Sequence, residues 1–99
     1  MEVSKGQRRW LAREAHRVEP TVMVGKEGLT EAVAARTDAE LEHHELIKIR
    51  FVGHKEHVRE IAQTLVENTG AVLVQTIGHV AVLYRPTRDP EQRAIVLPA

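Results

Sequence analysis

Gly25-Lys-Glu-Gly28 spends two of the chain's six glycines on a four-residue interval around a charged pair. Glycine tolerates positive φ and has no Cβ, so a second backbone can come close. Thr30, just beyond, suits the N-cap of a helix, and a helix N-terminus presents free N–H groups that favour phosphate oxygens. Lys26 adds a flexible positive charge, whereas Glu27 puts a carboxylate into the same loop. Three chemistries fit: a plain turn, a phosphate grip for a nucleotide, and a contact with nucleic-acid backbone. The nucleotide grips are incomplete, because neither GxxxxGK[ST] nor GxGxxG is present. A GxxG loop clamps nucleic-acid backbone in KH domains, where it joins two helices. Here it joins a strand to a helix.

Positive charge is unevenly spread. Fourteen basic and fourteen acidic side chains cancel to a formal charge of zero. Lys5, Arg8, Arg9, Arg13 and Arg17 crowd the first segment, and Lys48, Arg50, Lys55 and Arg59 follow in the middle of the chain. From Glu27 to Glu45 the balance reverses, with Glu27, Glu31, Asp38, Glu40, Glu42 and Glu45 facing only Arg36. A neutral protein with segregated charge still presents a basic face, and the local field steers a polyanion.

Six histidines raise the question of a metal. His43 and His44 are adjacent, so on a helix they diverge by about 100°. His54 and His57 stand three apart at a helix start and share a face, but spacing supplies no third ligand and no HExxH. The reading is no metal and no cofactor. Catalysis lacks parts as well. Ser4 is the only serine and Asn68 the only asparagine, there is no cysteine, and the element order does not match an acylphosphatase-type hydrolase. The expectation is a protein that is not an enzyme.

The elements that must position these groups are legible in the patterning. Ser4 and Gln7 have capping-box spacing, which starts a helix near Lys5. Leu11, Ala15 and Val18 give it an apolar stripe, Lys5, Arg9, Arg13 and Arg17 a basic ridge, and Pro20 ends it. Thr21–Val24 reads as a strand. A second helix runs from Thr30 to about His43 with Val33 and Leu41 inward. Leu46–Val52 alternates, with Ile47, Ile49 and Phe51 on a buried face and Lys48 and Arg50 opposite. Val58, Ile61, Ala62, Leu65 and Val66 mark a third helix stopped by Gly70. Ala71–Thr76 and His79–Arg85 read as a hairpin turning at Ile77-Gly78, and Ala94–Leu97 as a further extended segment. Among the three aromatics, Trp10 and Phe51 are expected in the core, and Tyr84 either there or on the surface.

The prediction is one α/β domain over residues 1–99, in the order α-β-α-β-α-β-β, on a four-stranded mixed sheet. No apolar run approaches the roughly 20 residues of a membrane span. The start MEVSKGQRRW holds no apolar signal segment, and the absence of cysteine suits a reducing cytoplasm.

The segment GKEGLTEAVAARTDAELEHHELIKIRF, with QTIGHVAVLYRPT and the closing AIVLP, resembles the CRM domain (chloroplast RNA splicing and ribosome maturation) in its stand-alone bacterial YhbY-type form. The likeness covers essentially the whole chain and includes Ala15-His16 and Pro20. It implies a fold similar to the C-terminal domain of bacterial translation initiation factor three. It also implies a monomeric, cytoplasmic RNA-binding protein associated with ribosomal RNA in the precursor of the large subunit (pre-50S). The family's GxxG loop maps onto Gly25, Lys26, Glu27 and Gly28, and its basic surface onto the first helix. Two positions depart from the family pattern. Glu14 stands where an apolar residue is usual, which predicts a looser or tilted first helix, and Glu27 makes the loop less cationic. A rival expectation is a protein-interaction module that docks through the acidic second helix, with RNA contact incidental.

Overall fold

The computed structural model describes all 99 residues. The capping box forms as its spacing requires. Ser4 Oγ accepts from the Gln7 N–H at 3.0 Å, and Gln7 Oε1 accepts from the Ser4 N–H at 2.9 Å, opening helix α1 over Lys5–Glu14. A single 3₁₀ turn, Ala15–Arg17, carries the chain into strand β1, Pro20–Val24. Proline is accepted there because it occupies the first position of an edge strand. Thr30 caps α2, Glu31–His44, its hydroxyl accepting from Val33 N–H at 3.1 Å. Strand β2 is Leu46–Phe51, α3 is Val58–Thr69, and Gly70 closes α3 in the left-handed region at φ 74°. Strands β3, Val72–Ile77, and β4, Val80–Tyr84, form the closing hairpin.

Two expectations need correcting. The hairpin turns one residue later, at Gly78-His79, because Ile77 still pairs with Val80 and Gly78 supplies the positive φ of 55°. Ala94–Leu97 adds no strand. The Ala94 and Ile95 N–H groups are taken instead by one carboxylate oxygen of Glu45, at 2.8 and 3.0 Å.

The sheet order is β1-β2-β4-β3, with β1 parallel to β2 and β4 antiparallel to both its neighbours. The mixed four-stranded sheet is therefore as predicted, with the last strand inserted between the second and third. Alternation along β2 divides its side chains. Ile47, Ile49 and Phe51 join Leu41, Ala62 and Leu65 in the core beneath α2 and α3. Leu46 points the other way, into a smaller core with Leu11, Ala15, Val82 and Tyr84 beneath α1 and the C-terminal tail. Burying a side chain such as Phe51 stabilises by about 1.5–3 kcal/mol, so the two faces are what hold three layers together. Tyr84 is settled as core; burial, helped by the Glu45 charge, raises its phenol pKa.

α1 crosses the sheet over β3 and near the start of β2 rather than over its whole length. It anchors on the β3 edge, where a register irregularity between Leu73 and Gln75 disturbs the ladder. Arg8 Nη1 donates to the carbonyls of Leu73 and Val74 at that point, so this cation is engaged within the fold. Glu14, the departure from the family pattern, is half-buried at the last residue of α1, and the helix gives way to the 3₁₀ turn directly after it.

Two side chains bury a polar atom that lacks a partner; one is Arg85, at Nε, and the other is Thr21. Thr21 Oγ1 is buried without a hydrogen-bond partner in the protein, beside the irregularity in β1. A buried polar group left unpaired costs free energy that an isosteric methyl does not. Thr21→Val therefore stabilises the domain by about 1 kcal/mol. Chemical denaturation checks this, and an unchanged or lowered midpoint contradicts it.

Candidate nucleic-acid interface

The parallel pair β1–β2 ends at one edge of the molecule, and two loops leave it side by side. The first, Gly25–Gly28, is a tight turn in which Gly28 N–H donates to the Gly25 carbonyl at 3.1 Å. Lys26 and Glu27 occupy the exposed tip. Gly28 sits at φ 70°, where a Cβ would be strained and would also lie 3.1 Å from His54 Nε2. At Gly25 a Cβ would meet nothing within 4 Å. Its bare Cα faces open space, which suits close approach by an outside backbone rather than tight internal packing. The turn leads into α2, and Gly25–Gly28, Thr30 and Val33 line a depression of about 220 Å³ beside that helix N-terminus.

The second loop, Gly53-His54, was missed by sequence reasoning. Val52 and Gly53 N–H both donate to the Val24 carbonyl, at 2.9 and 3.1 Å, which draws this loop against the first. A Cβ on Gly53 would stand 2.5 Å from the Gly25 carbonyl oxygen and 2.9 Å from Lys26 N. His54 takes the left-handed conformation at φ 53°, and its Nε2 donates to the Lys26 carbonyl at 2.6 Å. That conformation is uncommon outside glycine, although histidine, like asparagine and aspartate, adopts it more often than most, and it costs about 1–3 kcal/mol where context enforces it. The cost here goes into holding an imidazole under the turn. The available signal was the GH dipeptide immediately after a strand that pairs with the GxxG strand.

The expected sharing of a face by His54 and His57 is not what forms. His54 turns back to Lys26, while His57 lies near Glu60 at 3.4 Å. The rings of His43 and His44 lie 6.3 Å apart with their planes tilted by 53°. Trp10 meets expectation in part, packing against the smaller core. It is half-buried, and one wall of a surface cleft includes it.

The basic residues fall into two groups on the two faces of the sheet. Lys5, Arg9, Arg13 and Arg17 are exposed on α1 and its 3₁₀ extension. Lys48 and Arg50 lie on the same side of the sheet, since they alternate with the residues that pack under α2 and α3. Lys55 and Arg59 are on the opposite side, next to α3, where Arg59 Nη2 donates to Thr76 Oγ1 at 3.3 Å. Lys26 is exposed at the loop end of the sheet, whereas Arg17 stands near the beginnings of β1 and β2.

The acidic second helix is less acidic outside than its sequence suggests. Arg85 is buried, and its guanidinium donates to Asp38 at 2.7 Å, to the Thr69 carbonyl at 2.9 Å and to Glu42 at 3.1 Å. Thr87 Oγ1 also donates to Glu42, and Arg88 lies 3.1 Å from Asp38. These bonds shift the acids. The Arg85 hydrogen bond holds the Asp38 carboxyl below its ordinary range. The Thr87 hydroxyl, then the Arg88 N–H and the Arg85 guanidinium, do the same for Glu42. Glu45, at φ 65° and only 2% exposed, accepts from the Thr87, Ala94 and Ile95 N–H groups and fastens the tail. Three of the six carboxylates counted in the sequence thus serve the fold.

The fold and the loop pair define a class: a small three-layer α/β domain with a glycine-built turn set among basic side chains. The chain belongs to the CRS1/YhbY (CRM) domain family, whose model matches residues 3–85. It is 43% identical over 88 residues to an "RNA-binding protein" of Haemophilus influenzae, covering 88% of this chain and 89% of that one. It is 34% identical over 87 residues to the "Probable RNA-binding protein YqeI" of Bacillus subtilis, covering 87% and 91% respectively. Among solved structures, the solution structure of SAV1595 from Staphylococcus aureus superposes with a TM-score of 0.80 at 34% identity, covering 98% of this chain and all of that one. No helix of the protein is long and apolar enough to cross a membrane.

Proposed function

We propose that this protein binds RNA by its backbone, with Gly25, Lys26, Glu27 and Gly28 forming the point of contact and the basic side chains on the two faces of the sheet supplying the field. The observation that carries the reading is the loop itself. An exposed turn, braced from beneath by Gly53 and His54, holds one lysine and one open Cα outward. A preorganised turn loses little entropy when a phosphate arrives. Glu27 is exposed at the tip, where it is free to turn away from an anion. The protein acts by binding rather than by turnover, as a cytoplasmic monomer.

The RNA is ribosomal RNA in the precursor of the large subunit. Family membership and the names of the relatives support RNA as the partner; the ribosomal assignment follows the family resemblance. Crosslinking in cells with sequencing of the bound RNA tests it, and recovery without ribosomal RNA removes it. Docking through the acidic second helix is the weaker reading, because Asp38, Glu42 and Glu45 are engaged internally.

Electrostatic gripping makes the affinity salt-dependent, with a logarithmic slope of about −0.7 per phosphate neutralised on a single strand. Replacing Lys26, Arg9 and Arg13 together by glutamine reduces the magnitude of that slope by about 2 and releases the protein from its particle. Filter binding at several salt concentrations reads the slope. An unchanged slope with unchanged particle association would favour protein docking instead.

A further inference from the structure

At the opposite end of the parallel pair from the loops, a cleft of about 400 Å³ opens between α1, the beginnings of β1 and β2, and the tail. Its volume lies within the range of small-ligand sites. Its walls include the Trp10 indole and Ile95, and Glu14, Arg17 and Glu19 are among its lining residues. None of those three charged side chains takes part in any of the protein's ion pairs. The cleft therefore combines the indole, apolar walls, two uncommitted acceptors, one uncommitted cation and, from the end of α2, His44, which lies 3.9 Å from Glu40.

The order of these groups around α1 suggests how a ligand lies. Arg13 and Arg17 are four residues apart and belong to the exposed ridge. Trp10, three residues before Arg13, lies on the flank of that ridge. Glu14, four residues after Trp10, lies beyond it toward the buried stripe of Leu11, Ala15 and Val18. A ligand placed here is anionic at the ridge, planar beside the indole, and rich in N–H donors at its inner edge. An unpaired nucleotide has that order: phosphate outside, base within. Single-stranded bases are commonly held by stacking on aromatic side chains while their edges are read by hydrogen bonds.

The carboxylates choose among the bases. An ionised carboxylate only accepts, so it needs N–H donors opposite it. Guanine offers two adjacent N–H groups on its Watson–Crick edge, matching the two oxygens of one carboxylate. Adenine and cytosine offer a single amino group beside a ring acceptor that repels the second oxygen, and uracil offers one ring N–H between two carbonyls. We propose that this cleft takes one unpaired guanine of the bound RNA, with the base on Trp10, its donor edge toward Glu14 and Glu19, and its phosphate at Arg17. This rests on the RNA-binding reading above and adds to it a sequence-reading site remote from the backbone grip.

Trp10 is the only tryptophan, so its emission reports this cleft alone. Titration of the full chain with guanosine 5′-monophosphate gives saturable quenching, at an affinity at least about fivefold above the adenosine, cytidine and uridine monophosphates. Glu14→Gln and Glu19→Gln are measured separately, with circular dichroism confirming the fold. The one that bears the guanine contact weakens binding about tenfold, the usual value of a bidentate base contact. Equal quenching by all four nucleotides, no quenching at millimolar concentration, or no effect of either glutamine variant overturns the proposal. So does quenching by a short arginine peptide but not by nucleotides, which would assign the cleft to a protein side chain. The wild-type titration does not use the loop. Failure here with RNA binding intact removes only the cleft, whereas loss of RNA binding itself removes the proposed function.

Discussion

Gly53→Ala weakens RNA binding by about tenfold while leaving the domain folded. The added methyl would stand 2.5 Å from the Gly25 carbonyl oxygen and 2.6 Å from its carbon, both backbone atoms that no rotamer change can move. Gly53 has no room to retreat, because its N–H and that of Val52 are both fixed to the Val24 carbonyl. The turn at Gly25–Gly28 must therefore shift outward. Overpacking of this kind costs about 1–3 kcal/mol, and here it falls on the geometry that presents Lys26. Gly70→Ala is the control. Gly70, unlike Gly53, sits at positive φ, and a Cβ there meets nothing within 4 Å, so its strain is local and the loops are untouched. That variant loses about 1 kcal/mol of stability with no change in RNA affinity. His54→Asn divides the effect further, since asparagine accepts the left-handed conformation yet removes the imidazole beneath the turn. Fluorescence anisotropy with a labelled RNA, alongside urea denaturation, measures both quantities. If Gly53→Ala and Gly70→Ala lose stability alike and bind RNA alike, the loop is a plain turn.

The contrast between those two glycines shows where sequence patterning stops. Local signals were read well: the Ser4–Gln7 box, the Thr30 cap, the alternation of Ile47, Ile49 and Phe51, and the Gly70 stop all form as their spacing dictates. Each depends on residues within a few positions of one another. The bracing of the loop does not. Gly53 and Gly25 are brought together by the parallel pairing of β1 and β2, and nothing near either residue records it. Cations carried the same ambiguity. Arg8, Arg9 and Arg85 are indistinguishable as letters. Yet Arg8 is bound to the β3 edge, Arg9 is free, and Arg85 is buried against carboxylates 43 and 47 residues away. Trp10 packs against the smaller core as read, but the cleft on its other side was not legible. Apolar periodicity places a residue near a core but does not say whether a cleft opens beside it.

Arg85→Met is the stability counterpart, and it costs about 3 kcal/mol at neutral pH. Methionine keeps most of the apolar stem, so the change isolates the guanidinium. Arg85 joins three elements: Asp38 and Glu42 on α2, the Thr69 carbonyl at the end of α3, and its own position after β4. Without it the Thr69 carbonyl loses its donor near the C-terminus of α3, and two carboxylates face each other with only Arg88 between them. The lower end of the range for broken buried pairs applies because both carboxylates retain contact with water. The effect carries a pH signature. Asp38 and Glu42 have folded pKa values below the ordinary carboxylate range, so their contribution is present above the unfolded value near 4 and is lost as pH falls through the folded values. Wild-type stability therefore drops steeply on acidification, while Arg85→Met, which lacks most of that stabilisation, drops less. The difference between the two proteins is largest at pH 7 and narrows by pH 3. Urea midpoints at the two pH values measure it, and a gap independent of pH would mean that Arg85 acts through packing rather than through charge.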